Sequence, residues 1–213
     1  MSSRFVGVVF DLDGVLTDTA HYHFLAWKRL AEALGIAFDE AANEHLKGID
    51  RMGSLELILG DKAAHYTHEQ KLALADEKNT HYGQLIATMT PMDLLPGARE
   101  ALLAVRVAGL KTALASVSKN AMTVLQRLAI VDLFDDIVDA ATIANSKPHP
   151  EIFLTAAAHL GLDPLRCLGV EDSIAGIRAI KSAGMMALGI GDPAVLTEAD
   201  KVISGLEQFS LDL

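Results

Sequence analysis

The sequence feature that most constrains the fold is a short apolar run near the N-terminus that ends at two aspartates. The run spans residues 5–10, and Asp11 and Asp13 follow it in the order Asp-Leu-Asp-Gly. A short β-branched stretch without polar alternation is typical of a strand buried on both faces, as in a parallel sheet. The sequence therefore predicts that two carboxylates stand at the carboxyl end of a buried strand.

Similar runs recur along the chain and alternate with helical patterns. The further runs that we predict as strands, the second of them weak and the last an edge strand, are residues 111–116, 137–138, 167–170, 186–190 and 201–203. The helical patterns that separate them are residues 97–107, 120–128, 150–160 and 173–183. Alternating strands and helices of this length predict an α/β fold of βαβ units on a mostly parallel sheet.

One connection is too long for a βαβ unit. Residues 11–110 separate the first two confident strands, whereas a whole βαβ unit takes roughly 30 residues. The intervening patterns predict helices at residues 21–34, 39–47, 51–59 and 67–87. We therefore predict a core of residues 1–17 and 91–213, interrupted by a helical domain of residues 18–90 with linkers at 16–19 and 89–96.

The composition excludes several classes of protein. With 51% hydrophobic and 22% charged residues the chain is not a disordered polyelectrolyte. Its net charge of −10 argues against nucleic acid or an anionic membrane as the main partner, but not against a small anion in a local basic pocket. Cys167 is the single cysteine, which favours a reducing compartment. Without a signal sequence or a membrane-spanning run, we expect a soluble, cytoplasmic, monomeric protein.

Reactive side chains are predicted to collect at the carboxyl ends of four strands. Taken singly, each has an ordinary interpretation as a turn residue, a helix N-cap or a solvated loop lysine. Carboxylates gathered on one edge repel one another, and a divalent cation relieves that repulsion. An all-oxygen site of this kind suits Mg²⁺, which also binds substrate phosphate. The residues concerned are Asp11, Asp13, Ser116, Lys147, Glu171 and Asp172.

This group of residues is suited to phosphoryl transfer. A carboxylate beside Mg²⁺ can attack phosphorus and form an aspartyl phosphate. Lys147 and Ser116 would stabilise the charge on the transferring group. Asp13 could protonate the leaving oxygen and later accept a proton from the acceptor hydroxyl.

Four segments that contain these residues resemble the motifs of the haloacid dehalogenase-like phosphotransferases. They occur in the same order, and the resemblance covers nearly the whole chain. They are Asp11-Leu-Asp-Gly-Val-Leu-Thr17, Ser116, Lys147-Pro-His-Pro150 and Gly169-Val-Glu-Asp-Ser173. The resemblance implies a Rossmann-like core, a nucleophilic Asp11 and an acid/base at Asp13, which dehalogenases lack. It also implies a Mg²⁺ site drawn from Asp11, Asp13, Glu171 and Asp172.

The helical insert is similar to that of β-phosphoglucomutases, which interconvert β-glucose 1-phosphate and glucose 6-phosphate through a 1,6-bisphosphate. The segments that carry this likeness include Asp18-Thr-Ala-His-Tyr-His23, Leu46-Lys-Gly-Ile-Asp-Arg51 and Ala115-Ser-Val-Ser-Lys-Asn120. The resemblance implies that Thr19 and His23 lie at the hinge and couple closure to Asp13. It further implies a sugar-phosphate site that includes Trp27, Lys47, Gly48, Arg51, Ser54, Lys78, Ser116, Val117, Ser118, Lys119 and Asn120.

Other functions stay open at this point. A phosphatase acting on hexose or 2-deoxyhexose phosphates would use the same core with water as acceptor. A phospho-accepting signalling domain would share the aspartate, Mg²⁺ and lysine, but would not need the insert or the Asp-x-Asp pair. A sugar-phosphate-binding protein would not need Asp13 as an acid/base. Lys47, Arg51 and Lys78 also have a plain interpretation as solvated cations on amphipathic helices.

Overall fold

The protein is built around one parallel sheet, as the α/β pattern predicts. A computed structural model describes residues 4–46 and 49–212. Its sheet is six-stranded with the order β3-β2-β1-β4-β5-β6, and each neighbouring pair runs parallel. The strands are β1 (Gly7–Phe10), β2 (Lys111–Leu114), β3 (Asp136–Ile137), β4 (Cys167–Glu171), β5 (Met186–Ile190) and β6 (Lys201–Ile203).

Helices cover both faces of the sheet. After β1 come α1 (Ala20–Ala33), α2 (Glu40–Glu44), α3 (Arg51–Leu59) and α4 (His68–Ile86), all before β2. The others are α5 (Ala98–Val107), α6 (Ala121–Arg127), α7 (Glu151–Leu160) and α8 (Ile174–Ser182). Strand residues alternate between two apolar clusters: Val8 and Phe10 pack on the side of α5 and α6, and Val9 on the side of α7 and α8. This arrangement confirms the predicted fold class.

The first four helices after β1, which form the insert, have an apolar cluster of their own. It joins side chains from α1, α3 and α4, including Trp27, Leu55 and Ala75. The two chain segments that connect this helical insert to the sheet are paired with each other. Thr17 and Leu94 form an isolated antiparallel β-bridge, and the amide of Leu95 donates to the carbonyl of Leu16 at 2.9 Å.

The structure departs from the sequence-based boundaries at one helix of the insert. The pattern predicts a helix over residues 39–47, but α2 ends at Glu44. Beyond it the amide of Leu46 donates to the carbonyl of Asn43, and Ile49 to Leu46, which are three-residue turn contacts. The chain therefore leaves the helix for a tighter turn directly after Glu44.

The described part of the chain has no helix long and apolar enough to cross a membrane. The lone cysteine, Cys167, is buried in the sheet, as an ordinary core side chain would be.

Candidate active site at the carboxyl edge of the sheet

The site lies where the strand order changes direction. From β1 the chain continues on one side to β2 and β3, and on the other to β4, β5 and β6. Open parallel sheets bind ligands at the carboxyl ends of such strands. Phe10 pairs with Val170 across β1 and β4, so the next residue on each strand, Asp11 and Glu171, stand side by side at this edge.

A buried lysine joins these two carboxylates. The Nζ atom of Lys147 lies 2.7 Å from Oδ1 of Asp11 and 2.7 Å from Oε2 of Glu171. The side chains of Lys147 and Glu171 are 1% exposed and that of Asp11 is 8% exposed. The other oxygen of Glu171, Oε1, accepts from the hydroxyl of Ser173 at 2.8 Å. Both oxygens of Glu171 are thus engaged by protein donors.

Burial and neighbouring charges shift the pKa values of the carboxylates and of Lys147. Burial raises the pKa of Asp11 to about 8, and the charge of Glu171 adds to the rise while Lys147 opposes it. Burial also raises the pKa of Asp13 to about 6, against Lys147 and Lys78. Burial alone would lower the pKa of Lys147, but Asp11 and Glu171 outweigh it and raise the pKa. One lysine does not neutralise this cluster, so a further cation would stabilise it.

The arrangement of the carboxylates fits a divalent cation. Oxygens of Asp11, Glu171 and Asp172 lie within 4.8 Å of one another. A Cβ on Gly14, whose φ is +79°, would come within 2.1 Å of Oδ2 of Asp172, so a side chain at this position would displace that carboxylate. Both oxygens of Glu171 accept hydrogen bonds, whereas Lys147 contacts one oxygen of Asp11, Oδ1. Asp13 does not belong to the three-carboxylate group.

Asp13 is placed differently from the other carboxylates. It follows Asp11 in a tight loop in which the amide of Leu16 donates to the carbonyl of Leu12 at 2.9 Å. The Asp13 side chain lines the cavity in front of the sheet, and its Oδ1 atom is buried and has no hydrogen-bond partner among residues 4–46 and 49–212. A buried oxygen left without a partner is costly in a folded protein, and a ligand hydroxyl would satisfy it.

The cavity between sheet and insert has a volume of about 380 Å³. The core contributes carboxylates and the loop of residues 117–120, and the insert contributes cations and apolar side chains. The predicted site residues that line it are Asp11, Asp13, His23, Trp27, Arg51, Ser54, Lys78, Val117, Ser118, Lys119, Asn120 and Asp172. Thr19, Ser116, Lys147 and Glu171 are buried outside this lining.

Lys78 is a buried side chain of the insert and not a solvated surface lysine. Its Nζ atom donates to Nδ1 of His23 at 2.7 Å and lies 4.7 Å from the ring centres of both Trp27 and Tyr82. Burial, with the nearby charge of Arg51, lowers the pKa of Lys78 to about 7. Burial and Lys78 lower the pKa of His23, so His23 is neutral and accepts through Nδ1.

Arg51 also lies in the insert wall, at the first position of α3. Its side chain is 18% exposed, and its guanidinium donates to Asp76 at 3.4 Å, a long contact with a mostly exposed carboxylate. The charge of Arg51 lowers the pKa of Lys78, and the charges of Lys78 and Arg51 lower the pKa of His23. The two cations of the insert therefore repel each other. A bound anion would remove that repulsion.

The loop after β2 presents hydroxyl and amide groups to the same cavity. The amide of Ser118 donates to the buried Oγ of Ser116 at 3.1 Å, and the amide of Asn120 to Oγ of Ser118 at 3.3 Å. The side-chain amide of Asn120 donates to Oδ1 of Asn79 on α4 at 2.7 Å. This loop is therefore ordered by its own serines and touches the insert directly.

The family assignment agrees with this geometry. Residues 5–184 match the model of the haloacid dehalogenase-like hydrolases. The chain belongs to this family.

Within the haloacid dehalogenase-like hydrolases, the chain is similar to both mutases and phosphatases. The chain is 50% identical to the β-phosphoglucomutase of Bacillus subtilis, over 97% of this chain and 92% of that protein. It is 32% identical to a phosphorylated carbohydrates phosphatase of Thermotoga maritima, over 92% and 91%. The crystal structure of a β-phosphoglucomutase from Clostridium difficile superposes with a TM-score of 0.95 at 46% identity, covering 97% and 93%. These matches confirm the resemblance drawn from the motifs.

Some site residues were not predicted, and two predicted ones fall outside the described structure. Lys47 and Gly48 lie in the gap between residues 46 and 49. Tyr82 was missed, although it lies four residues after Lys78 on α4 and therefore on the same helix face. Its ring stacks on His23 with 4.0 Å between centres. Gly176 was also missed: a Cβ there would lie 2.0 Å from the carboxyl carbon of Glu171.

Proposed function

We propose that this protein is a β-phosphoglucomutase, which interconverts β-D-glucose 1-phosphate and D-glucose 6-phosphate through an aspartyl-phosphate enzyme and β-glucose 1,6-bisphosphate. One observation carries the proposal. A single cavity has the carboxylates for phosphoryl transfer on its core wall and mutually repelling cations on its insert wall. A ligand with phosphoryl groups at two ends satisfies both walls.

In the proposed reaction Asp11 is the nucleophile. Its carboxylate oxygen forms a bond to one phosphorus of β-glucose 1,6-bisphosphate as the bond from that phosphorus to the sugar oxygen breaks, and Asp13 gives its proton to that oxygen, which releases the sugar monophosphate. In the other half of the cycle Asp13 takes the proton from the free hydroxyl of a sugar monophosphate, and that oxygen attacks the aspartyl phosphate, which forms the bisphosphate again and frees the Asp11 carboxylate. The raised pKa of Asp13, about 6, suits a group that is protonated in one step and ionised in the next.

The surrounding core residues hold and neutralise the transferring group. Lys147 positions Asp11 through the 2.7 Å contact and, with the Ser116 hydroxyl, would stabilise charge on the phosphoryl oxygens. We propose that Asp11 and Asp172 hold Mg²⁺, with Glu171 orienting Lys147 beside them. When bound, Mg²⁺ neutralises charge on the phosphoryl oxygens.

We propose that residues 18–90 act as a cap over the sheet. Arg51, Ser118 and Asn120, with Lys119, would hold the non-reacting phosphate; Arg51 suits this because its planar fork binds two oxygens. The sugar would lie against the pocket formed by Trp27, Lys47, Gly48, Ser54, Lys78 and Val117. Thr19 and His23, at the start of α1, would couple cap position to Asp13.

A closed cap matters because an aspartyl phosphate reacts readily with water. While water is excluded, the aspartyl phosphate persists until a sugar hydroxyl attacks it, and reopening of the cap lets the bisphosphate return in the opposite orientation.

We further propose that the protein acts on its sugar phosphate as a monomer in a reducing cytoplasm. The single buried Cys167 favours the reducing compartment.

The second candidate is a hexose or 2-deoxyhexose phosphate phosphatase. It has the same core chemistry with water as the acceptor, and the similarity to a carbohydrate phosphatase favours it. The two functions differ in how well the cavity keeps water from Asp11.

One assay separates these functions. The protein is given β-glucose 1-phosphate, Mg²⁺ and a trace of the 1,6-bisphosphate, and glucose 6-phosphate and free phosphate are followed together. Fast formation of glucose 6-phosphate with little free phosphate is the expected result. Mainly free phosphate would replace the mutase by the phosphatase, and no turnover of any sugar phosphate would contradict both.

A further inference from the structure

One carboxylate of the insert is shared between the insert and the core. Oδ1 of Asp50 accepts the amides of Met52 at 2.8 Å and Gly53 at 3.0 Å, which caps the start of α3. Its other oxygen, Oδ2, accepts the hydroxyl of Ser146 at 2.6 Å. Ser146 belongs to the core loop between β3 and α7. The same side chain therefore begins an insert helix and ties that helix to the sheet domain.

Both partners stand next to residues that the proposed chemistry uses. Asp50 precedes Arg51, the predicted ligand of the non-reacting phosphate, and Ser146 precedes Lys147, which bridges Asp11 and Glu171. A hydrogen bond between the two thus fixes the distance between the distal-phosphate side of the cavity and its reacting side.

We propose that the Asp50–Ser146 hydrogen bond is a latch that holds the insert closed over Asp11 and so directs the phosphoryl group to a sugar hydroxyl instead of water. The proposal rests on the proposed mutase function. It makes Asp50 and Ser146 positioning residues, since neither has to touch the reacting atoms.

The chemistry of the contact favours a strong but short-ranged bond. Burial alone would raise the pKa of Asp50, but the hydrogen bonds from Ser146, Gly53 and Met52, with the charge of Lys119, hold it below its usual range. Asp50 is therefore ionised at neutral pH, and a hydroxyl that donates to a carboxylate makes a charge-assisted bond. Such a bond is lost once donor and acceptor separate beyond about 3.5 Å, so even a small opening breaks it.

A second contact across the same boundary acts in parallel. Asn120 of the core donates to Asn79 of α4 at 2.7 Å, but both groups are neutral amides. Neutral hydrogen bonds contribute less than those to charged groups. Of the two contacts, the Asp50–Ser146 latch is thus the one whose loss should open the cavity further.

The test separates the latch from the capping of α3. Ser146→Ala removes the donor from the core and leaves every bond of α3 in place. Asp50→Ser keeps a good N-cap residue but is too short to reach Ser146. The double variant completes a thermodynamic cycle. Asp39→Ser is the matched control, because Asp39 caps α2 through the amide of Ala42 and forms no described bond to the core.

Two readouts are measured on each full-length protein. The first is the ratio of free phosphate to glucose 6-phosphate formed from β-glucose 1-phosphate with Mg²⁺ and the 1,6-bisphosphate. The second is amide hydrogen exchange in the linkers, residues 16–19 and 89–96, without substrate. We expect each single variant to raise the ratio about tenfold, the scale of one hydrogen bond to a charged group, and to speed linker exchange. The double variant should do no more than either single one.

Additive effects of the two substitutions, or a ratio and linker exchange equal to those of the control, would overturn the latch. Failure of the proposed function looks different. In that case the unmodified protein itself releases free phosphate and little glucose 6-phosphate, while linker exchange still reports whether the latch closes the insert.

Discussion

The two walls of the cavity differ in how closely their charged side chains are paired with opposite charges. Directly behind the core wall, Lys147 is paired at 2.7 Å with Asp11, which lines the cavity, and with Glu171, and both oxygens of Glu171 accept hydrogen bonds. On the insert wall, Arg51 has one long contact to an exposed carboxylate, and Lys78 donates to a neutral histidine. The core carboxylates thus already have a buried cation beside them, although one lysine does not neutralise them, whereas the described hydrogen-bond partners of the two insert cations are an exposed carboxylate at 3.4 Å and a histidine. This difference suits the proposed function, in which the core performs the chemistry and the insert selects the anion.

The largest effect should come from the reacting group of the core wall. Asp11→Asn should lower turnover of β-glucose 1-phosphate about 10⁴-fold or more, because removal of a nucleophile removes the covalent route. The protein should still fold, since Lys147 keeps its contact with Glu171. Activity is measured by a coupled glucose 6-phosphate assay and folding by circular dichroism. Activity near that of the unmodified protein would contradict the role of Asp11.

The pairing of Lys147 with the core carboxylates can be tested through stability. Lys147→Met leaves Asp11 and Glu171 buried without a cation, and such a change should lower the free energy of unfolding by about 3–5 kcal/mol. The loss should be smaller at pH 6 than at pH 9.5, because the pKa of Asp11 is raised to about 8: at pH 6 the carboxyl is protonated in both proteins, and Lys147 stabilises its charge only where it ionises.

Urea denaturation with and without Mg²⁺ measures this loss, and added Mg²⁺ should restore part of it. Lys111→Met is the matched control, since its partner Asp135 lies at 2.8 Å but the Lys111 side chain is 55% exposed. Exposed pairs contribute about 1 kcal/mol or less. Equal losses in the two variants would show that the buried lysine contributes no more to the free energy of unfolding than the exposed one.

The insert wall should affect selection more than chemistry. Arg51→Ala should lower kcat/KM for β-glucose 1-phosphate roughly 10- to 100-fold, the scale of one charge-assisted contact to phosphate. Hydrolysis of acetyl phosphate, which has no second phosphate site to fill, should change far less. Arg29→Ala is the control, because Arg29 contacts His81 outside the main cavity. An equal loss on both substrates would contradict a distal-phosphate role.

The smallest expected effect is the uptake of a fraction of a proton by the protein when it binds a sugar phosphate. Lys78 has a pKa lowered to about 7, so at pH 8 it is mostly neutral, and a bound phosphate should raise that pKa and draw in a proton. Calorimetric titration with glucose 6-phosphate at pH 8 in buffers of different ionisation enthalpy measures the uptake. A sugar phosphate with a second pKa of about 6 is already dianionic there.

The uptake should disappear in Lys78→Met and persist in Lys71→Met, whose lysine lies on the same helix but pairs with Glu56. Proton release, or uptake that survives Lys78→Met, would place the anion elsewhere.

The core was predictable from sequence because its signals are local. Asp11 follows a continuous apolar run, and the carboxyl ends of parallel strands share one edge, so strand positions alone bring Asp11, Lys147 and Glu171 together. The order of the sheet adds what the sequence does not contain, namely that β1 and β4 are neighbours.

The insert was less predictable because its contacts join distant residues. Nothing in the pattern around Lys78 distinguishes a buried lysine from a solvated one, since its burial depends on Trp27 and Tyr82 packing around it. The bond between Asp50 and Ser146 spans 96 positions, and each partner alone is an ordinary helix or loop residue. Only the packing of insert against core brings such pairs together.

The paired connecting segments have a consequence for how this protein could be rebuilt. Because Leu95 donates to Leu16 at 2.9 Å and Thr17 bridges Leu94, the chain leaves the sheet and returns to it at one point. A short turn, or a different inserted module, could span that point without altering a strand of the sheet. The same sheet could therefore receive a new lid as a cassette, and exchange of the lid would change which molecules reach Asp11 while the reacting residues stay in place.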